Sequence, residues 1–197
     1  ENFLNAIRTP DGTYLTYEEM AEDYMPMRYS GVWTSSTEIG DPDTGQGKPI
    51  LNYMYGVFMA EVTVDTRTGK TNVDKMTLVA DIGKINNKNV TDGQLYGGLA
   101  QGIGFALRED FEDLHKHNNM VKCGIPFAKD VPDDIELIYV ETPRPDGPFG
   151  ASGVGELPNT APHAAIINAI YWATGVRIRE LPAYPEKVLA ALSSLSK

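Results

Sequence analysis

Residues 147–155 of this 197-residue chain place glycine at 147, 150, 153 and 155, and a carboxylate, Glu156, follows directly. Glycine at that density is incompatible with a stable helix or strand interior, where each one costs up to about 1 kcal/mol relative to alanine. The stretch therefore reads as a loop, and the chain must be built from separate elements on either side of it. A loop without Cβ atoms lets its backbone lie very close to a ligand, and successive bare N–H groups make an anion-holding concavity. An acid at the end of such a loop can serve as a positioned base. The same residues also suit a plain turn before a helix, with Glu156 near the helix start, where negative charge is favoured. Spacing alone leaves both readings open.

The elements around the loop follow from periodicity. Phe58, Ala60, Val62 and Val64 share one face of an extended run from Leu51 to Asp65, and Glu61, Thr63 and Asp65 share the other. A turn over Asp65–Lys70 and a second β-prone run, Thr71–Ile82, complete a hairpin. Ile135–Glu141 alternates as a short strand just before the loop. After the loop, a helix is predicted from about Pro162 to Gly175, with Thr160 as its N-cap and Ile166, Ile167, Ile170 and Tyr171 facing inward. Val176–Arg179 reads as a further strand and Glu186–Leu195 as a last helix. At the front of the chain, Asn5–Tyr14 reads as extended with a turn at Pro10-Asp11-Gly12. Thr16 and Glu19 have capping-box spacing, which predicts a helix from Tyr17 to Tyr24. Gly40–Pro49 reads as an exposed loop between extended segments. Strands and helices alternate irregularly, so the expected class is α+β, with β-hairpins and short mixed sheets packed with helices, rather than a doubly wound parallel sheet. The length suits one domain over 1–197, and a division into two subdomains would fall near 115–135.

The stretch from Thr91 to about Leu114 predicts a long helix, opened by a Thr91–Gln94 capping box. It carries Gly97, Gly98, Gly102 and Gly104, an unfavourable choice unless another backbone or a ligand must come close. Gln94 and Gln101, seven apart, fall on one face. They suit either a solvated polar stripe or amides aimed at a polar ligand.

Charge and composition narrow the partners. The net charge of −10 opposes a nucleic-acid surface and an anionic membrane partner. No apolar run approaches the roughly 20 residues of a membrane span. The single cysteine, Cys123, cannot form an internal disulfide or a cysteine cluster, and it reads as a buried thiol. His115 and His117 lie in a polar stretch and read as a solvated helix end, with a His-x-His metal site as the weaker alternative. The chain opens at Glu1, without Met or a signal peptide, directly into apolar Phe3-Leu4, which reads as a piece of something longer or a mature subunit.

Three stretches together carry a family resemblance. They are Asp92-Gly93-Gln94-x-x-Gly97-Gly98-x-x-Gln101-Gly102, the strand Tyr139-Val140-Glu141-Thr142, and Gly150-Ala151-Ser152-Gly153-Val154-Gly155-Glu156-Leu157-Pro158. In that order they resemble the C-terminal, molybdopterin-binding part of the molybdenum hydroxylases, the xanthine oxidase family. Over essentially the whole chain the resemblance is to bacterial aldehyde oxidoreductases of the Desulfovibrio type. Leu157-Pro158 departs from the Pro-Pro usual in the xanthine branch.

The resemblance implies a molybdenum ion held by a pterin in its cytosine dinucleotide form, with no protein ligand to the metal. It implies that Glu156 is the general base that takes a proton from a metal-bound hydroxide as an aldehyde is oxidised to a carboxylic acid, with water as the oxygen source. It implies that Ser152, Gly153, Val154 and Gly155 lie along the cofactor and that Gln94 reaches the dinucleotide. Two [2Fe–2S] clusters need eight cysteines, so they belong to a missing N-terminal part, as do other cofactor contacts and the substrate funnel. The resemblance further implies a cytoplasmic homodimer when full length, packed against the remaining domains of its parent chain and passing electrons to an acceptor such as flavodoxin. The fragment alone is then expected to bind no cofactor firmly and to turn nothing over. The alternatives are a purine or N-heterocycle hydroxylase of the same family, and a non-catalytic structural or binding domain of the same fold.

Overall fold

The computed structural model describes residues 6–23 and 30–195. It divides into two compact units, Glu1–Thr34 and Ser35–Lys197, and the 115–135 stretch lies inside the second. In the first unit, β1 (Ala6–Arg8) and β2 (Tyr14–Thr16) pair antiparallel across the turn at Pro10-Asp11-Gly12. Helix α1 (Tyr17–Asp23) follows. Its capping box is reciprocal: the Thr16 amide donates to the Glu19 carboxylate at 2.9 Å, and the Glu19 amide to the Thr16 hydroxyl at 3.2 Å.

The second unit begins irregularly. The segments flanking the loop at 40–49 form no strand among the described residues. The hairpin follows as β3 (Tyr55–Val64) and β4 (Thr71–Asp81), antiparallel, with an irregularity in register between Glu61 and Val62. Strand β5 (Asp134–Val140) joins the other side of β4 in parallel. The sheet order β3-β4-β5 is therefore mixed. Its core face is set by register: Phe58, Leu78 and Leu137 align across the strands, as do Ala60, Met76 and Ile135.

Helix α2 (Lys88–Leu107) carries the chain from the end of β4 towards β5. It starts earlier and stops sooner than the Thr91–Leu114 span expected. Asn87 is the N-cap, its side chain accepting from the Val90 amide at 3.2 Å, while Thr91 is buried one turn in. Asn87 and Thr91 are both residue types that cap helices, and here the burial of Thr91 places it inside the helix. Beyond Arg108, the region of His115 and His117 is a series of turns rather than a helix end. Cys123 is buried, its thiol donating to the His117 carbonyl at 3.0 Å.

Helix α3 (Pro162–Thr174) ends at Gly175, which takes φ of 76°, a conformation a side chain resists. Its N-cap is Ala161, without a side-chain cap; the Thr160 hydroxyl instead donates to the Leu157 carbonyl at 2.8 Å. Ile166 and Ile170 are fully buried, but Tyr171 is exposed, its ring stacked under the Arg177 guanidinium. Val176–Arg179 finds no strand partner among the described residues and stays irregular. Helix α4 (Pro185–Leu195) closes the chain.

The core gathers Met76, Leu78 and Ala80 from β4 with Leu95, Leu99 and Ile103 from α2, Ile166 and Ile170 from α3, and Val188 from α4. Each large side chain buried this way contributes roughly 1.5–3 kcal/mol. No described helix is long and apolar enough to cross a membrane.

Candidate functional site

Strands β4 and β5 end together, with Asp81 opposite Val140. The segments that follow them stay together. Gly83 pairs with Ala151 as an isolated antiparallel bridge. The Lys84 and Arg144 amides both donate to the Gly150 carbonyl at 2.9 Å. The Ser152 amide and hydroxyl both donate to the Ile82 carbonyl at 3.0 Å. Gly83 is required here: its φ is +72°, and a Cβ would stand 2.4 Å from the Gly150 oxygen. Asp81 ties the assembly, accepting from the Gly83 and Thr142 amides at 3.2 Å and from the Arg144 guanidinium at 3.1 Å. Burial pushes the Asp81 carboxyl up, but the Thr142 hydroxyl, those amides and Arg144 outweigh it and hold it below the ordinary range.

Beyond Ser152 the loop changes character. The amides of Gly153, Val154, Gly155 and Glu156 donate to nothing among the described residues. A Cβ on Gly153 would meet nothing within 4 Å, and one on Gly155 would meet only the Gln94 side-chain oxygen at 4.0 Å. Glu156 is exposed, and its carboxylate has no hydrogen bond or ion pair among the described residues.

The chain is fixed again immediately afterwards. Leu157 and Pro158 are buried. Gly98 of α2 accommodates Pro158, whose Cγ would lie 2.3 Å from a Cβ there, and Gly102 accommodates Pro162 at 1.9 Å. Asn159 donates to the Gln101 side-chain oxygen at 3.2 Å. Gly93 and Gly97 of the same helix meet nothing within 4 Å.

The α2 glycines thus divide. Gly98 and Gly102 are there for packing; Gly93 and Gly97 have no packing reason among the described residues. The Gln94 side-chain oxygen lies 4.0 Å from where a Cβ on Gly155 would stand, whereas Gln101 is engaged with Asn159. Ser152 is held by Ile82, so its hydroxyl proton is already used. The arrangement is an open face rather than a hollow. The cavity of about 980 Å³ lies elsewhere, around Thr71, Arg108, Asp134 and Tyr184. No three metal-ligating side chains converge among the described residues.

A large polar group fits this face. Four successive amides unpaired among the described residues, the Gln94 amide and the Glu156 carboxylate provide donors and acceptors, with no Cβ at Gly153 or Gly155 and the Val154 side chain packed on the core. What sequence reasoning missed is the support beneath it. Asp81 and Arg144 are 63 residues apart, and no local motif marks them.

Residues 3–132 match the molybdopterin cofactor-binding domain family. The chain belongs to that family. It is 62% identical over 195 residues to an aldehyde oxidoreductase of Megalodesulfovibrio gigas, covering 98% of this chain and 22% of that protein. It is 34% identical over 151 residues to a probable hypoxanthine oxidase of Escherichia coli, covering 75% of this chain and 16% of that one. Among solved structures, an aldehyde oxidoreductase from Desulfovibrio gigas superposes with a TM-score of 0.79 at 62% identity, over 94% of this chain and 21% of that one. The chain therefore spans about a fifth of the length of these relatives. The α+β molybdopterin-binding fold of the xanthine oxidase type is the one observed here. The matched segment contains Gln94 and the α2 glycines but stops short of Glu156.

Proposed function

We propose that this chain is the C-terminal part of a larger molybdenum-pterin oxidoreductase that converts aldehydes to carboxylic acids with water as the oxygen source, and that Glu156 is its general base. The observation that carries the reading is the free Glu156 carboxylate at the end of four unpaired backbone amides, beside Gln94. Gln94, Ser152, Gly153, Val154 and Gly155 would hold a molybdopterin cytosine dinucleotide, which would supply the redox centre and an acidified water when bound. Glu156 would accept a proton at its carboxylate, the free acid at the end of the loop. The loop backbone binds the cofactor's polar atoms, and Gln94 orients it.

The remaining domains of the parent protein would bury this open face, exclude water, supply the substrate funnel and carry two [2Fe–2S] clusters. The full-length protein would be a cytoplasmic homodimer that passes electrons to an acceptor such as flavodoxin. An aldehyde is favoured over a purine by the greater identity to the aldehyde-oxidising relative, 62% against 34%.

The test is Glu156→Gln in the full-length protein. Turnover of an aldehyde should fall by several orders of magnitude while molybdenum content stays near normal. A variant that keeps its rate removes Glu156 from the chemistry. Gln94→Ala separates binding from folding. Because Asn87 rather than the Thr91–Gln94 pair caps α2, this change should leave stability nearly untouched and lower the content of pterin dinucleotide.

A further inference from the structure

The loop that displays Glu156 hangs between two fixed points. One is Pro158, seated on Gly98. The other is Ser152, bonded to Ile82. The second point is only as firm as the turn at 144–150 behind it, and that turn is tied to the strand end by backbone bonds at Lys84 and by one buried side chain. Arg144 is 91% buried, since only 9% of its side chain is accessible. One terminal nitrogen, Nη2, reaches both the Asp81 carbonyl at 3.0 Å and the Asp81 carboxylate at 3.1 Å. The guanidinium lies over the Tyr55 ring, 5.7 Å from its centre. Its Nε is buried and has no hydrogen-bond partner among the described residues. Through its backbone, Arg144 donates to the Gly150 carbonyl at 2.9 Å and accepts from the Gly147 amide at 3.2 Å. Arg144 therefore both closes the turn and, beside the backbone bonds at Lys84 and Gly83, ties it through its side chain to the end of β4.

We propose that Arg144 is the positioning residue for the Glu156 base, acting through Asp81 and the 144–152 turn and touching neither substrate nor cofactor. This rests on the reading of Glu156 given above. A buried guanidinium left with one open donor is an unfavourable choice for stability alone, where an apolar residue of the same volume would serve as well. Its value lies in direction. The guanidinium holds the turn in one orientation on the strand end, so the segment from Gly153 to Glu156, whose amides are unpaired among the described residues, starts from a fixed place. Misplacing a reacting group by about 1 Å costs roughly a hundredfold in rate.

The experiment uses the full-length, cofactor-loaded protein with Arg144→Met, Arg144→Lys and Asp81→Asn. Two measurements are made: amide hydrogen exchange at Lys84 and residues 150–156, and kcat and KM for an aromatic aldehyde with an artificial electron acceptor, per bound molybdenum. Arg144→Met should speed exchange at Lys84 and Ser152 at least tenfold while leaving β3 and α2 unchanged. It should lower kcat ten- to a hundredfold with KM little altered. Lysine at this position, able to reach the same two oxygens, should recover most of the rate. Unchanged exchange at Lys84 and Ser152, or an equal rise throughout the chain, overturns the proposal, as does a normal kcat per molybdenum. If Arg144→Met does not accumulate, Asp81→Asn puts the same questions from the acceptor side with the same outcomes. The exchange result does not depend on the chemistry, so a Glu156→Gln enzyme of normal rate would sink the base assignment while leaving the anchoring of the turn to be read separately.

Discussion

The two halves of the loop between β5 and α3 share a glycine-rich composition and almost nothing else. From Gly147 to Ser152 every amide that is hydrogen-bonded points back into the turn or onto the 81–84 segment, and Gly83 and Gly147 are glycine because a Cβ would strike Gly150 or Ala151. From Gly153 to Glu156 the amides are unpaired among the described residues, and a Cβ on either glycine would meet at most the Gln94 oxygen at 4.0 Å. Glycine permits close approach in both halves. In the first the approaching group is the protein itself; in the second no described backbone or packed side chain comes close to the glycines. The carboxylates repeat the contrast: Asp81 is surrounded by donors, and Glu156 has none among the described residues. Glycine density alone therefore does not separate a glycine needed for internal packing from one with open space beside it.

That contrast can be broken in graded ways. The largest effect is expected at the free carboxylate, where Glu156→Gln should cost on the order of a thousandfold in turnover, read as kcat per molybdenum in the full-length protein. Next comes a packing glycine. Gly102→Ala would drive a Cβ to within 1.9 Å of Pro162, whose ring cannot swing aside, and should lower stability by about 1–3 kcal/mol in a denaturant titration. Gly97→Ala, five residues away on the open side, should do the reverse, raising stability by about 0.5–1 kcal/mol through helix propensity while cofactor content falls. A loss of stability there would mean that Gly97 packs against part of the parent protein rather than against cofactor. The smallest effect is the pH dependence at Asp81. Its folded pKa is depressed, so its stabilising contribution is present above the unfolded value of 3.8 and is lost as pH falls through the lower folded value. The stability gap between the parent and Asp81→Asn should therefore narrow as pH drops below about 4 and be constant above about 5.

Local signals were legible where neighbours in sequence are neighbours in space. Alternation gave the β3–β4 hairpin, and the Thr16–Glu19 box gave α1. Capping failed at α2 and α3, because Asn87 and Ala161 are selected by where the helices pack, and Thr160 found a closer acceptor in Leu157. Val176–Arg179 has strand-like residues but no partner edge. The parallel pairing of β4 with β5 spans 59 residues, from Lys75 to Asp134, and no pattern of polar and apolar residues specifies it. For the site, the motif supplied the upper layer, Glu156, Gln94 and the open glycines. The layer beneath, Asp81 with Arg144, depends on that long-range pairing and so stayed hidden.

The parallel register has a practical corollary for protein engineering. Because Asp81 and Val140 finish side by side, the connection from Arg108 to Asp133 enters β5 at the far end of the sheet. Lengthening a flexible connection costs only about 0.6 kcal/mol per doubling. An exposed point of that stretch, such as Lys116, away from buried Cys123 and the Arg108–Asp130 pair, is therefore the place to graft a reporter or an affinity handle, at the opposite end of β5 from the 144–152 turn.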